Sequence, residues 1–210
     1  MTIIVHHLET SRSQRIVWLL EELGEPFALK RYLRDRSTFA APPELQQLHP
    51  LGKVPMIQDG PTVIVESGAI FAYLLARSDQ RLVGTDNRDE ALRYTHFLHY
   101  ADGSFMPQVV TLVVLGRMGD AAQKGADAVR SGLAFHLAWV ESELASRPWV
   151  AGERFTAADI MMSFPLEAAH SRAGLAWDYP HIDAWIARIQ DRSAYQRALA
   201  RAEPAVATAD

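Results

Sequence analysis

The 210-residue chain contains no cysteine. It therefore has no disulfide, no zinc–thiolate site and no cysteine nucleophile of its own, and any thiol chemistry must use a thiol that the substrate brings. Nor is there an excess of positive charge. Lys and Arg number 21 against 25 Asp and Glu, a formal net charge of −4 with His neutral. That argues against nucleic acid as the partner, which wants a basic face, and leaves room for a small acidic ligand held by a local cation. No apolar run approaches the roughly 18 residues of a membrane-spanning helix. The start, MTIIVHHLE, lacks the basic and apolar regions of a secretory signal. The expectation is a cytoplasmic protein with no membrane association. Composition is otherwise ordinary, at 49% hydrophobic and 22% charged residues, enough to bury a core rather than stay disordered.

The first third alternates between strand and helix patterns. TIIVHHL reads as a buried strand. SQRIVWLLEELG reads as a helix with Ile16, Leu19, Leu20 and Leu23 on one face and Gly24 as its stop. PFALKRYL is a second strand, PPELQQLHP a short helix bracketed by prolines, and VPMIQDGPTVIVES a hairpin with an Asp59-Gly60 turn. SGAIFAYLLAR is again a helix. The order β-α-β-α-β-β-α implies a mixed sheet with helices on its faces. From about residue 88 only helices follow, over 88–118 with an interruption at Asp102-Gly103 and Pro107, then over 121–147, 157–171, 180–192 and 194–202. The expected division is an α/β domain over 1–79, a linker over 80–87 and an all-helical domain over 88–204. The closing EPAVATAD is expected to fray.

Some local patterns carry their own chemistry. LETSRSQR sets three hydroxyls, Thr10, Ser11 and Ser13, between a strand end and a helix start. Such a junction is an anion site, because unpaired N–H groups point out of a helix N-terminus. Thr156 and Asp159 form a capping box with Phe155 and Ile160 placed as a hydrophobic staple, which is a folding signal. His6 and His7 are adjacent on a strand and point to opposite faces. His96 and His99 share a helix face but lack a third ligand, so no metal site is expected.

SRSQRIVWLLEEL, PLGKVPMI, VESGAIFAYL and FTAADIMMSFPL, in this order and spacing, resemble the cytosolic glutathione transferase family over essentially the whole chain. PPELQQLHPLGKVPMI and FLHYADGSFMPQVV are most similar to a subgroup shared by bacteria and fungi, with a serine-type opening loop. The resemblance implies a thioredoxin-like N-terminal domain on a mixed four-stranded sheet and an all-α C-terminal domain. It also implies a homodimer, glutathione as co-substrate, a small hydrophobic electrophile as second substrate, and a detoxification role. It implies a cis Val54–Pro55 bond that leaves the Val54 backbone groups free to pair with the extended glutathione peptide as an added strand would. Glu66 then meets the α-ammonium of the γ-glutamyl end, and the Ser67 hydroxyl and helix amides meet its α-carboxylate. Read from the residues alone, Ser67 is an N-cap. Lys53 faces the glycine carboxylate, with Gln14, Arg15 and His49 as weaker candidates; Arg15 has the alternative of an acidic partner in its own domain. Tyr100, Ser104 and Met106 are assigned to the electrophile pocket.

The catalytic requirement is small. A thiol with pKa near 8.5 is only a few per cent thiolate at neutral pH. Lowering that value by two units takes about 2.7 kcal/mol, and one hydrogen bond to a charged group supplies about 1.5–3 kcal/mol. One hydroxyl at a helix start suffices. By resemblance the donor is Ser11, with Thr10 as its alternative if the loop is one residue shorter, and Ser13 or a backbone amide behind both. The expected activity is attack of the glutathione thiolate on an electrophile. Glutathione-dependent peroxidase or disulfide reductase activity, or a non-catalytic binding protein of this fold, stay open.

Overall fold

Local sequence sets the elements of the computed structural model, which describes residues 2–79, 81–84 and 87–203. Parts of the expected linker (80, 85 and 86) and of the expected frayed tail (204–210) lie outside the described residues. Two compact units form. One holds the described residues up to Arg81 together with those from Gln190 to Glu203, the other the described residues of Leu82–Ile189.

In the first unit, β1 (Ile3–Leu8), β2 (Phe27–Tyr32), β3 (Met56–Asp59) and β4 (Thr62–Val65) form the expected mixed sheet in the order β2-β1-β3-β4. β1 and β2 run parallel with Ile3 opposite Phe27, and the other pairs are antiparallel. The helix α1 (Gln14–Leu23) makes the crossover. Its Ile16, Leu19, Leu20 and Leu23 are all buried, and Gly24 ends it at φ 68°, a conformation glycine adopts at no steric cost. The short α2 (Glu44–Leu48) places Leu45 against Leu8 and Tyr32. The hairpin loop is Gly60-Pro61, one residue later than expected, since Asp59 stays in register opposite Thr62. Asp59 is held there by α3 (Ser67–Arg77), whose Tyr73 hydroxyl and Arg77 guanidinium donate to its carboxylate at 2.5 and 2.8 Å.

The last helix of the chain, α9 (Ser193–Ala202), packs on α1. Tyr195 meets Trp18 edge-on at 5.0 Å. Arg192 donates twice to Glu22 at 2.6 and 2.8 Å, and Arg197 and Arg201 both donate to Glu21, at 2.8 and 2.7 Å. These bonds bring Glu203, just past α9, back to the turn after β1.

The second unit is helical. α4 (Arg88–Tyr100) starts at Asn87, whose side chain accepts the Asp89 and Glu90 N–H groups at 2.9 and 3.2 Å. The interruption expected at Asp102-Gly103 is a π-helical turn, Ala101–Phe105, after which α5 (Met106–Arg117) carries on. α6 (Gln123–Leu144), α7 (Ala157–Arg172) and α8 (Pro180–Gln190) follow. α7 is the core helix and opens with the expected capping box. Its Asp159 is fully buried. The carboxylate accepts from the Val150 N–H at 3.0 Å, the Thr156 N–H at 2.9 Å, the Thr156 hydroxyl at 3.2 Å and the Trp185 indole at 3.0 Å. Burial pushes its pKa up to about 6 against those donors. Among the described residues no helix is long and apolar enough to cross a membrane.

Removing that carboxylate strands four buried donors on three residues. Asp159→Ala is expected to cost about 3–5 kcal/mol, read as a lower urea midpoint for loss of the helical circular-dichroism signal. An unchanged midpoint would show that the donors find other partners.

Candidate active site

The turn between β1 and α1 is built from backbone and hydroxyl groups that satisfy one another. Thr10 takes φ 52°, an uncommon backbone for a β-branched residue. Its N–H donates to Glu203 at 2.7 Å. The Thr10 hydroxyl is exposed and has no hydrogen-bond partner among the described residues. Ser11 is buried. Its Oγ lies 2.7 Å from the Leu8 carbonyl, to which it donates, and 2.6 Å from Ser13 Oγ, and it accepts the Ser13 N–H at 3.3 Å. Ser13 occupies the N-cap position of α1 without capping it. Its hydroxyl turns back to accept the Leu8 N–H at 3.2 Å and meets His7 Nδ1 at 2.8 Å. His7 Nε2 lies 3.3 Å from Glu203.

The start of α1 is therefore not an open row of amides. The Gln14 and Arg15 N–H groups donate to the Ser11 and Arg12 carbonyls, both at 3.2 Å. The anion site that a bare helix N-terminus would offer is largely used up by the loop, which leaves hydroxyls as the available donors.

Next to this turn, Arg12, Lys53, Val54, Pro55, Glu66 and Ser67 line a small cleft of about 30 Å³. Three distant segments supply it. Gly52 at φ 57° lets the loop pass so close to α2 that a Cβ there would meet Gln46 Cγ at 2.6 Å. The Val54–Pro55 bond is cis. Register with β1 ends at Met56, and the Val54 backbone groups pair with no other backbone group among the described residues. Glu66 precedes α3 at φ 72° and ψ 127°, a backbone strained by about 1–3 kcal/mol. Glu66, and not Ser67, is thus the N-cap, and Ser67 is the first helical residue. The Glu66 carbonyl accepts the Ile70 N–H at 2.9 Å, the first bond of the helix, and Ser67 meets Arg15. Its guanidinium is buried and donates to Ser67 Oγ at 3.0 Å, across the interior from α1. Ser67 keeps its own proton for another acceptor. The acidic partner considered for Arg15 is replaced in that contact by a serine. His49 accepts the Leu51 N–H at 3.3 Å and shapes the loop.

Ser11 and Thr10 do not themselves line the cleft, whereas Arg12 does. Reading the residues missed Arg12, although it sits inside LETSRSQR. It also missed His7 and Glu203, which are 196 residues apart in the chain.

Tyr100, Ser104 and Met106 are in the second unit and do not come together. The Tyr100 hydroxyl is 2.6 Å from His136 Nδ1, and burial raises its pKa. Tyr100 lines an open apolar cavity of about 270 Å³ with His96, Phe135, His136 and Trp139. Ser104 is exposed on the π-helical turn and Met106 is buried in the core. Among the described residues no group of three or more His, Cys, Asp or Glu is arranged to hold a metal ion.

Comparison with known proteins bears on these features. Residues 1–76 match the family description "Glutathione S-transferase, N-terminal domain" and residues 123–188 match "Glutathione S-transferase, C-terminal domain". Glutathione S-transferase 1 of Saccharomyces cerevisiae is 32% identical over 214 residues, covering 91% of each chain. A crystal structure of a glutathione S-transferase from Actinobacillus pleuropneumoniae is 35% identical with a TM-score of 0.85, covering 96% of this chain and 93% of that one. A theta-class glutathione S-transferase from Xanthomonas axonopodis pv. citri, solved with glutathione bound, is 26% identical with a TM-score of 0.77, covering 94% and 96%.

The buried rings of β1 make stability depend on pH. Burial lowers the pKa of His6, helped by Lys30, and that of His7, opposed by Glu203, from the ordinary value of 6.5. A depressed histidine contributes stability that is present above 6.5 and lost as pH falls toward its folded value, because the unfolded chain binds the extra protons. Asp159, raised to about 6, acts in the opposite sense and only below that value. The urea midpoint is therefore expected to fall between pH 7.5 and 6. A midpoint that rises over that interval would contradict neutral burial of the two rings.

Proposed function

The chain belongs to the glutathione S-transferase family, and from that premise we propose how its first unit takes glutathione and activates the thiol. It is a glutathione transferase, with glutathione as co-substrate. The observation that carries the site reading is the cleft, in which Lys53, Val54, Pro55, Glu66 and Ser67 converge from separate segments. Their chemistry matches an extended, charged tripeptide. The Val54 backbone offers one donor and one acceptor to the cysteine residue of glutathione. Glu66 offers a carboxylate to the α-ammonium. Ser67, already accepting from Arg15, offers its proton to the α-carboxylate beside the N-terminal amides of α3. Lys53 offers a cation to the glycine carboxylate, and Arg12 adds a second positive charge on the same cleft.

Ser11 is the proposed donor to sulfur. Its hydroxyl sits at the turn beside the cleft, in a buried setting where a hydrogen bond to an anion is worth more than in water. Against Thr10 stands its exposure, since solvent competes for its hydroxyl. With no cysteine in the chain, the protein cannot form a mixed disulfide with glutathione. Its thiolate must act directly on the second substrate. The resemblance alone supports a homodimer, a cytoplasmic location, a detoxification role and a small hydrophobic electrophile, and of Tyr100, Ser104 and Met106 the cavity lining favours Tyr100 as a contact for it.

Calorimetric titration with glutathione tests the cleft. Binding is expected at millimolar concentrations or below, and its absence there would sink the enzyme reading. Glu66→Gln and Lys53→Ala are expected to raise KM for glutathione about tenfold, the loss of one charge-assisted bond. Ser11→Ala is expected to raise the pKa of the bound thiol by at least one unit, seen in thiolate absorbance against pH, and to lower kcat/KM about 10–100-fold at neutral pH. A larger rise in Thr10→Val than in Ser11→Ala would reassign the donor.

A further inference from the structure

Four side chains beneath the turn form a continuous hydrogen-bonded line: Ser11 Oγ to Ser13 Oγ at 2.6 Å, Ser13 Oγ to His7 Nδ1 at 2.8 Å, and His7 Nε2 to Glu203 at 3.3 Å. Three of the four, Ser11, Ser13 and His7, are buried. Each contact holds one proton, and the protons can be counted. An ionised Glu203 only accepts, so His7 Nε2 carries a proton. If His7 is neutral, Nδ1 is bare and takes the Ser13 proton. The Ser11–Ser13 contact must then use the Ser11 proton. In this state the one Ser11 proton is divided between Ser13 Oγ and the Leu8 carbonyl at 2.7 Å, both inside the fold, and Ser11 has nothing to give a thiolate.

Ser11 can donate outward while the line stays intact only if every proton shifts one place. Ser13 must donate to Ser11, and Nδ1 must donate to Ser13. That arrangement holds one more proton than the first, on the His7–Glu203 pair.

We infer that His7 is the proton acceptor for the glutathione thiol, acting through Ser13 and Ser11, with Glu203 stabilising the imidazolium. The inference rests on Ser11 facing the sulfur. The balance closes without any outside reagent. The S–H bond breaks and its proton goes to Ser11 Oγ. The Ser11 proton passes to Ser13, and the Ser13 proton forms the new N–H bond at His7 Nδ1. Each serine ends with one proton, turned around; Ser11 gives up its bond to the Leu8 carbonyl, and the thiolate accepts from it instead. His7 and Glu203 touch no substrate and are positioning residues. The groups facing His7 fit the role. Burial and Arg31 on β2 disfavour its charged form and outweigh Glu203, which favours it, so the relay requires the new thiolate to tip that balance toward the charged ring.

The relay predicts that ionising the bound thiol releases little or no proton to solvent. Thiolate formed is read from absorbance, and protons released from titration calorimetry at pH 7 in two buffers of different ionisation enthalpy. The wild-type protein is expected to release well under half a proton per thiolate. His7→Asn, which can accept the Ser13 bond but cannot hold the proton, is expected to release about one. In that variant kcat should fall about tenfold near pH 6.5 and recover by pH 9, with KM for glutathione within twofold. A merely structural role would lower activity alike at both pH values. If His7→Asn does not fold, Glu203→Gln at the more open end of the line should raise proton release toward one. One proton released per thiolate by the wild-type protein overturns the relay. Should that occur while Ser11→Ala still raises the thiol pKa, the relay alone fails and Ser11 stands as donor. An unchanged thiol pKa in Ser11→Ala removes both.

Discussion

The contact between two serine oxygens 2.6 Å apart holds one proton, which either oxygen can give, and that constraint governs the chemistry available at the β1–α1 turn. Ser11 has one proton and three claims on it: the Leu8 carbonyl, Ser13 and any anion in front of it. Which claim wins is decided not at Ser11 but two contacts deeper, at His7. The hydroxyl that a sequence comparison would single out is thus the outer end of a line whose inner end is a histidine and a carboxylate. Thiolate stabilisation of about 2.7 kcal/mol requires only one well-aimed hydrogen bond, so the direction of one proton matters more than the number of donors nearby.

The fold fixes that direction by packing elements far apart in the chain. β1 holds His7 in the sheet, and α1 places Ser13 at its first turn. α9, tied to α1 by Arg192, Arg197 and Arg201, returns Glu203 to the turn. The same logic holds at the cleft. Arg15 reaches from α1 to Ser67 at the start of α3. The strained backbone of Glu66 turns that side chain onto the cleft wall, and Gly52 permits the close passage that presents Lys53 and Val54. The strain at Glu66 sits where a charged ligand would meet it, the pattern expected when a backbone is held for binding and not for stability.

Most of the architecture was legible because it rests on local signals. Alternating and 3.6-residue apolar patterns located the strands and helices, Gly24 ended α1, and Thr156 with Asp159 started α7. Gaps appeared wherever a long-range contact decides the outcome. The hairpin loop shifted by one residue because α3 grips Asp59. The cap expected at Ser67 falls one residue earlier, on Glu66, while the Ser67 hydroxyl meets Arg15 from far along the chain. Tyr100, Ser104 and Met106 were assigned to one pocket by resemblance, but Ser104 is exposed on the π-helical turn, Met106 is buried in the core, and of the three Tyr100 alone lines the cavity. Glu203 could not have been linked to His7 from the chain, since no periodicity or motif connects residues 196 positions apart.

The central claim is that the sulfur of glutathione is received by Ser11 at the mouth of this line. A structure of the protein with glutathione bound tests it most directly. The account predicts that Ser11 Oγ is the protein oxygen nearest the sulfur and within hydrogen-bonding distance of it, with the γ-glutamyl end at Glu66 and Ser67. A sulfur nearest to the Thr10 hydroxyl, or a peptide lying away from Val54, would contradict it.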